Sequence, residues 1–148
     1  MIDLTPFERL VALDHGLSVV VTCRADHTPQ ATVVNAGVVP HPLEDTRVVA
    51  FVSAGGSRKL DLLRADPTIA VVVRAGWRWI TVEGVAQLIG PDDPHPGVDE
   101  ERLRLLRGEI YTSFGGPHDD WDTWDRVMRE ERWAAVLVTA TRVYSFRG

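Results

Sequence analysis

Residues 55 to 60 read "GGSRKL", and they hold the single lysine of the chain: of sixteen basic residues, all but Lys59 are arginine. A loop of small residues that enters a helix leaves backbone N–H groups without partners, aimed at a common point where the helix dipole adds positive potential. Ser57 at the cap brings a hydroxyl, and Arg58 and Lys59 bring full charges. Charge-assisted hydrogen bonds to phosphate oxygens are among the strongest that a protein can make. The chemistry implied is the binding of a phosphate. The same residues also fit an ordinary helix start, with Ser57 as cap and two solvated cations, and the stretch alone leaves both readings open.

The remaining residues offer little chemistry of their own. No GxGxxG, GxxxxGK[ST], HExxH or GxSxG pattern occurs. Cys23 is the sole cysteine, which excludes an intramolecular disulfide and a cysteine-based metal centre. His15, His27, His41, His95 and His118 are scattered over turns and loops, so no metal site is expected. If the protein is an enzyme, a bound cofactor carries the reaction. A net charge of -5 disfavours nucleic acid as a partner. Apolar runs such as Val19–Val21 are too short to cross a bilayer, and the first ten residues lack the basic-then-apolar order of a secretion signal. The expectation is a soluble, cytoplasmic protein with one domain over residues 1–148.

The elements that must position the loop follow from the hydrophobic periods. Thr5-Pro6-Phe7-Glu8 is a capping-box pattern and predicts a helix to about Asp14. "LSVVVTC" and "ATVVNAGVV" predict two strands joined by the turn "RADHTPQ", and "RVVAFVS" a third. "RKLDLLRAD" reads as a helix stopped by Pro67. "TIAVVVR" and "WRWITVEGVAQLI" give the fourth and fifth strands, with Gly84 as a bulge or bend. Asp99 caps a helix with Leu103, Leu106 and Ile110 on one face, and "FGGPHDD" leads to another whose Trp121, Trp124 and Met128 form an apolar stripe. "WAAVLVTATRVYSF" closes the chain with one or two strands. This order predicts a mainly β protein, an antiparallel barrel with flanking helices.

The run "SRKLDLLRADPTIAVVVRAGWRWITVEGVAQL" resembles the pyridoxamine-phosphate-oxidase-like split-barrel superfamily, and most closely its actinobacterial branch that uses the deazaflavin coenzyme F420. That branch carries an Arg/Lys segment, L-R-x-D-P, a strand, a Gly-Trp turn and a strand ending in V-E-G-x-A-x-L. These stand here at Arg58–Lys59, Leu63 to Pro67, Gly76–Trp77 and Val82 to Leu88. "HDDWDTWDRVMREERWAAVLVTATRVYSF" resembles the branch's last helix and closing strand, so the likeness runs from about Gly16 to Phe146. A departure is Leu62, where the family often has Asn.

The resemblance implies a six-stranded antiparallel split barrel that forms a homodimer with two cofactor sites at the interface. It places Arg58 and Lys59 on the cofactor phosphate with Ser57 beside them, and Asn35, Val52 and Ser53 along the ring. Trp77 and Trp79 fall near the ring or its tail, while their alternation on a strand fits packing in the barrel or dimer core equally well. It implies an F420-dependent oxidoreductase that passes a hydride between the deazaflavin and a small organic substrate. The alternatives are an FMN-dependent oxidoreductase of the same fold and a non-catalytic binder of flavin, F420 or haem. Arg102, Arg104 and Arg107 either contact the acidic tail of F420 or pair with the acids of their own helix. No proton donor stands out, and His41 has no assigned role.

Overall fold

A computed structural model of the chain describes residues 2–115 and 118–147. The helix α1 (Thr5–Val11) opens the chain, three residues shorter than its pattern predicts. The capping box does not form. Asp3 accepts the Thr5 N–H instead, at 2.9 Å, and Glu8 turns away to an ion pair with Arg47. The strands β1 (Leu17–Cys23) and β2 (Pro29–Asn35) make the predicted hairpin, in register from Leu17↔Asn35 to Cys23↔Pro29. Then follow β3 (Gly37–Pro40), β4 (Arg47–Ser53), α2 (Arg58–Ala65), β5 (Thr68–Ala75) and β6 (Arg78–Ile89). The helices α3 (Glu100–Phe114) and α4 (Trp121–Glu130) precede the closing strand β7 (Ala134–Ser145). Of the loop "FGGPHDD", Gly116 and Pro117 lie outside the described residues.

All seven strands form one antiparallel sheet in the order β2-β1-β5-β6-β7-β4-β3. Its two edges, β2 and β3, are separated in sequence by Ala36 alone. Strands so joined cannot sit at opposite ends of a flat sheet, so the sheet curls until its edges meet. The expected count of six differs from the observed seven for this reason. "ATVVNAGVV" is one continuous run that divides at Ala36, whose N–H bonds to Gly16 O at 2.9 Å and takes the backbone out of the ladder.

Inside the curl, Phe7 from α1 and Leu60 and Leu63 from α2 pack with Phe51, Ile69, Val71, Val82 and Val136. A second apolar layer lies behind β4, where Val48, Ala50 and Leu137 meet Leu106 and Ile110 of α3. β4 is thus buried on both faces, which is why it reads as an unbroken apolar run. Burying these side chains supplies most of the stabilisation, at about 1.5–3 kcal/mol for each large one.

β6 and β7, twelve residues each, form the longest ladder, and its register shifts between Glu83 and Gly84 as predicted. Gly84 is needed there because a Cβ would stand 2.1 Å from Thr139 O. Among the described residues no helix is long and apolar enough to cross a membrane.

Candidate functional site

The two glycines of "GGSRKL" have separate tasks. Gly56 takes φ +79°, a left-handed conformation that favours glycine. Gly55 allows another segment to approach closely: its N–H bonds to Glu131 O at 3.0 Å, and a Cβ would meet Arg132 O at 2.6 Å. The residues before β7 are thereby held against the start of α2. Ser57 caps that helix by accepting the Leu60 N–H, and its hydroxyl lies 2.8 Å from that of Ser53 at the end of β4. The amides of Arg58 and Lys59 precede the first hydrogen bond of the helix and have no partner within it.

These pieces edge a pocket of about 490 Å³. One side is built from strand ends, with Val33, Val34 and Asn35 of β2 and Val52 and Ser53 of β4. The other is aromatic, with Tyr111 and Phe114 of α3, Trp124 of α4 and Trp133. Asn35 donates its Nδ2 to His15 O at 2.9 Å, and among the described residues its carbonyl oxygen receives no donor.

Lys59 is the one cation in the lining, and no carboxylate lines the pocket among the described residues. It is half-buried and forms no ion pair among them, and burial holds its ammonium below the usual lysine range. An ammonium in an apolar setting, without a counter-charge, is unfavourable unless an anion joins it. That asymmetry favours the phosphate reading of the loop over the plain helix start.

Of the residues expected at the site, the fold brings together Asn35, Val52, Ser53, Ser57 and Lys59. Arg58 is exposed on the first turn of α2 and does not line the pocket. Trp77 is not on a strand: it occupies the β5–β6 turn after Gly76 and is 93% exposed. Trp79 lies on β6, edge-on to Tyr144 at 6.3 Å, in a hollow with Leu10 and Leu13. Neither tryptophan reaches the pocket of its own chain. Arg102 pairs with Glu109, and Arg104 with Glu101 and Asp125, so both arginines are satisfied on their helix face. His41 is buried away from the pocket, 2.8 Å from Gln87 through Nε2, while its Nδ1 accepts the N–H groups of Leu43 and Glu44.

The aromatic wall was not legible as a site. Trp124 and Trp133 read as core, Tyr111 as the end of a helix and Phe114 as the start of the loop that follows it. The available signal was the crowding of rings at helical spacing around residues 111, 114, 121 and 124. A hollow of about 500 Å³ between β3 and α3 is more apolar, and its sole cation, Arg104, is already paired.

A family model described as pyridoxamine 5'-phosphate oxidase matches residues 7–104. A comparison with curated proteins finds no match. Among solved structures, the conserved hypothetical protein Rv2991 from Mycobacterium tuberculosis is 18% identical, with TM-score 0.69 over 98% of this chain and 84% of that one. A structure described as an F420 reductase is 16% identical, with TM-score 0.60 over 90% of this chain and 93% of that one. An FMN-binding, pyridoxamine 5'-phosphate oxidase-related protein from Nostoc punctiforme is 15% identical, with TM-score 0.67 over 100% of this chain and 87% of that one. At these identities the structures speak for the fold, a split barrel.

Lys59→Ala is expected to weaken binding of a flavin phosphate by about ten- to a hundred-fold, the cost of one charge-assisted contact. Arg58→Ala should cost less, since Arg58 stands outside the lining. Removing the half-buried charge in Lys59→Met should raise the melting temperature of the ligand-free protein. Fluorescence titration and thermal unfolding of the three variants check this; unchanged affinity in Lys59→Ala returns the loop to an ordinary helix start.

Proposed function

The chain belongs to the pyridoxamine 5'-phosphate oxidase family, and within it we propose a coenzyme F420-dependent oxidoreductase acting on a small organic substrate. The observation that carries this reading is the half-buried ammonium of Lys59, without an ion-pair partner among the described residues, in the lining of a largely apolar pocket. When bound, the reduced deazaflavin supplies a hydride to an electron-poor carbon of the substrate. Lys59, with the open amides at the start of α2, holds the phosphate. The Ser53–Ser57 hydroxyl pair adds donors beside it, and the Asn35 carbonyl oxygen is an acceptor for a ring N–H. The apolar walls exclude water and fix the orientation of the ring.

Charge arithmetic favours F420 over FMN. The phosphate of FMN is a terminal monoester with nearly two negative charges near neutral pH, whereas that of F420 is a diester with one. The pocket lining offers one full positive charge. The family resemblance to the F420 branch supports the same choice. Since Arg102 and Arg104 are engaged by acids, the reading assigns them no part in holding the tail.

The reading includes a homodimer. The outer face of the sheet carries a row in which Val19 stands opposite Val33 on one side and Val72 on the other. Val33 is 67% exposed and also lines the pocket. Apolar rows of this kind on an outer sheet face call for cover, and a second copy seated on this one would roof the pocket as well.

Two measurements test the proposal. In parallel calorimetric titrations at low and high salt F420 should bind more tightly than FMN, because the one cation of the lining suits a singly charged diester. Tighter binding of FMN at low and high salt reassigns the cofactor. Light scattering coupled to size exclusion should return twice the chain mass for the native protein and the single-chain mass for Val33→Asp. A monomeric native protein at micromolar concentration removes the shared site.

A further inference from the structure

Arg107 carries a charge that neither the core nor the Lys59 pocket accounts for. It is 4% exposed and forms no ion pair among the described residues. Its Nη1 donates to Trp133 O at 3.0 Å, which anchors the approach to β7. Its Nε has no partner, and Nη2 makes no hydrogen bond among the described residues either. Nε–H and one N–H of Nη2 point the same way along one edge of the planar group. That edge matches the two oxygens of a carboxylate. Burial holds the guanidinium below the ordinary arginine range, with Asp125 and Glu100 acting in the opposite direction. A buried charge with an idle hydrogen-bonding edge destabilises the fold until another group meets it.

Arg107 lines a hollow of about 370 Å³ between the start of α3 and α4, and every side chain of that lining is ionisable. Some of them are engaged. Arg104 holds Glu101 at 2.6 Å and Asp125 at 3.1 Å. Asp99 caps α3 through Oδ1, which accepts the Arg102 N–H at 2.8 Å. Two cations, Arg107 and Arg129, remain without an ion pair among the described residues. Two acceptors remain as well, the exposed carboxylate of Glu100 and Oδ2 of Asp99.

That mixture suits neither simple ion. A lone anion would meet Arg107 but also the acids of α3, and a lone cation would meet those acids but also two arginines. A molecule that carries both charges a few bonds apart is matched at both ends. With no apolar side chain in the lining, the hollow offers nothing to an apolar body.

We propose that this hollow is a second binding site, for a small polar zwitterion of the α-amino acid class. The carboxylate lies on the Nε–Nη2 edge of Arg107, and the ammonium lies against Glu100 and Asp99. Nε is closed off from solvent, so the carboxylate meets Nη2 first and takes Nε as the side chains over it part. The site shares no lining residue with the Lys59 pocket and stands independently of the cofactor assignment.

The test uses the full chain, ¹⁵N-labelled at arginine, and L-serine. Two relatives each lack one charge: 3-hydroxypropanoate has no ammonium, and L-serinamide has no carboxylate. Arg107→Lys identifies the Arg107 Nε–H signal by its loss. L-Serine should saturate at millimolar concentrations and move that signal downfield as the charge-assisted bond forms. Each relative should bind at least about tenfold more weakly, the worth of one charge-assisted contact. Arg107→Lys keeps a charge but lacks the edge, and should lose about the same factor. Glu100→Gln, at an exposed position, should weaken L-serine and strengthen 3-hydroxypropanoate. Lys59→Ala should bind L-serine as the native chain does.

An Arg107 signal that L-serine leaves unmoved overturns the proposal, as does equal affinity for L-serine and 3-hydroxypropanoate. It falls too if the signal already stands downfield without ligand and moves back in Asp125→Asn, since the chain's own carboxylate would then close the hollow.

Discussion

A half-buried ammonium without a counter-charge is the constraint around which this site is organised. Folding gains nothing from desolvating Lys59, and the fifteen arginines of the chain show how readily its other basic positions use a different residue. Six of those arginines are paired to carboxylates. The lysine lies instead beside the open amides of a helix start and two serine hydroxyls. All of these groups donate, and a phosphate oxygen is what they jointly lack. Anion binding and protonation of Lys59 are linked as a result: an anion favours the charged form, so affinity should fall as pH rises through the titration of that group.

The rest of the fold serves to put strand ends next to this charge. β2 is an edge strand and β4 lies near the opposite edge, so in a flat sheet Asn35 and Ser53 would be far apart. The Ala36 junction forces the curl that brings them to one pocket. Gly55 then lets residues 131 and 132 settle on the loop before α2, which delivers Trp133 opposite the strands. Arg107 secures that position from behind. Polar and aromatic halves of the pocket are therefore set by backbone approaches that tolerate little added bulk.

Much of this was legible in the sequence because local rules governed it. Strand alternation gave the β1–β2 hairpin, Ser57 and Asp99 announced their helices as caps, and Gly84 marked its bulge. What misled was where tertiary contacts overrode a local pattern. Glu8 matches a capping box, yet Arg47, thirty-nine residues away, draws it off. "ATVVNAGVV" has no breaker at Ala36, because the break comes from closure of the sheet and not from the residue. Trp77 alternates with Trp79 as if on a strand, but Gly76 turns the chain there.

The candidate site divides along the same line. The cationic side, proposed to hold the phosphate, is contiguous in sequence and could be read from residue types. The aromatic wall gathers rings from α3, α4 and the approach to β7, elements whose meeting only the fold reveals. Tryptophans on an amphipathic helix carry no mark that separates core from pocket, since both demand burial. The same ambiguity applies to the arginines of α3: their spacing suited an acidic tail, and the acids within one or two turns took Arg102 and Arg104 first.

With a single lysine in the chain, selective ¹⁵N labelling of lysine gives one side-chain ammonium signal, and its titration reports Lys59 directly. In the ligand-free protein it should titrate below the usual lysine value, and saturating F420 should move the titration upward as the phosphate joins the charge. A signal that titrates at the usual value and does not respond to F420 or FMN would contradict the account at its centre.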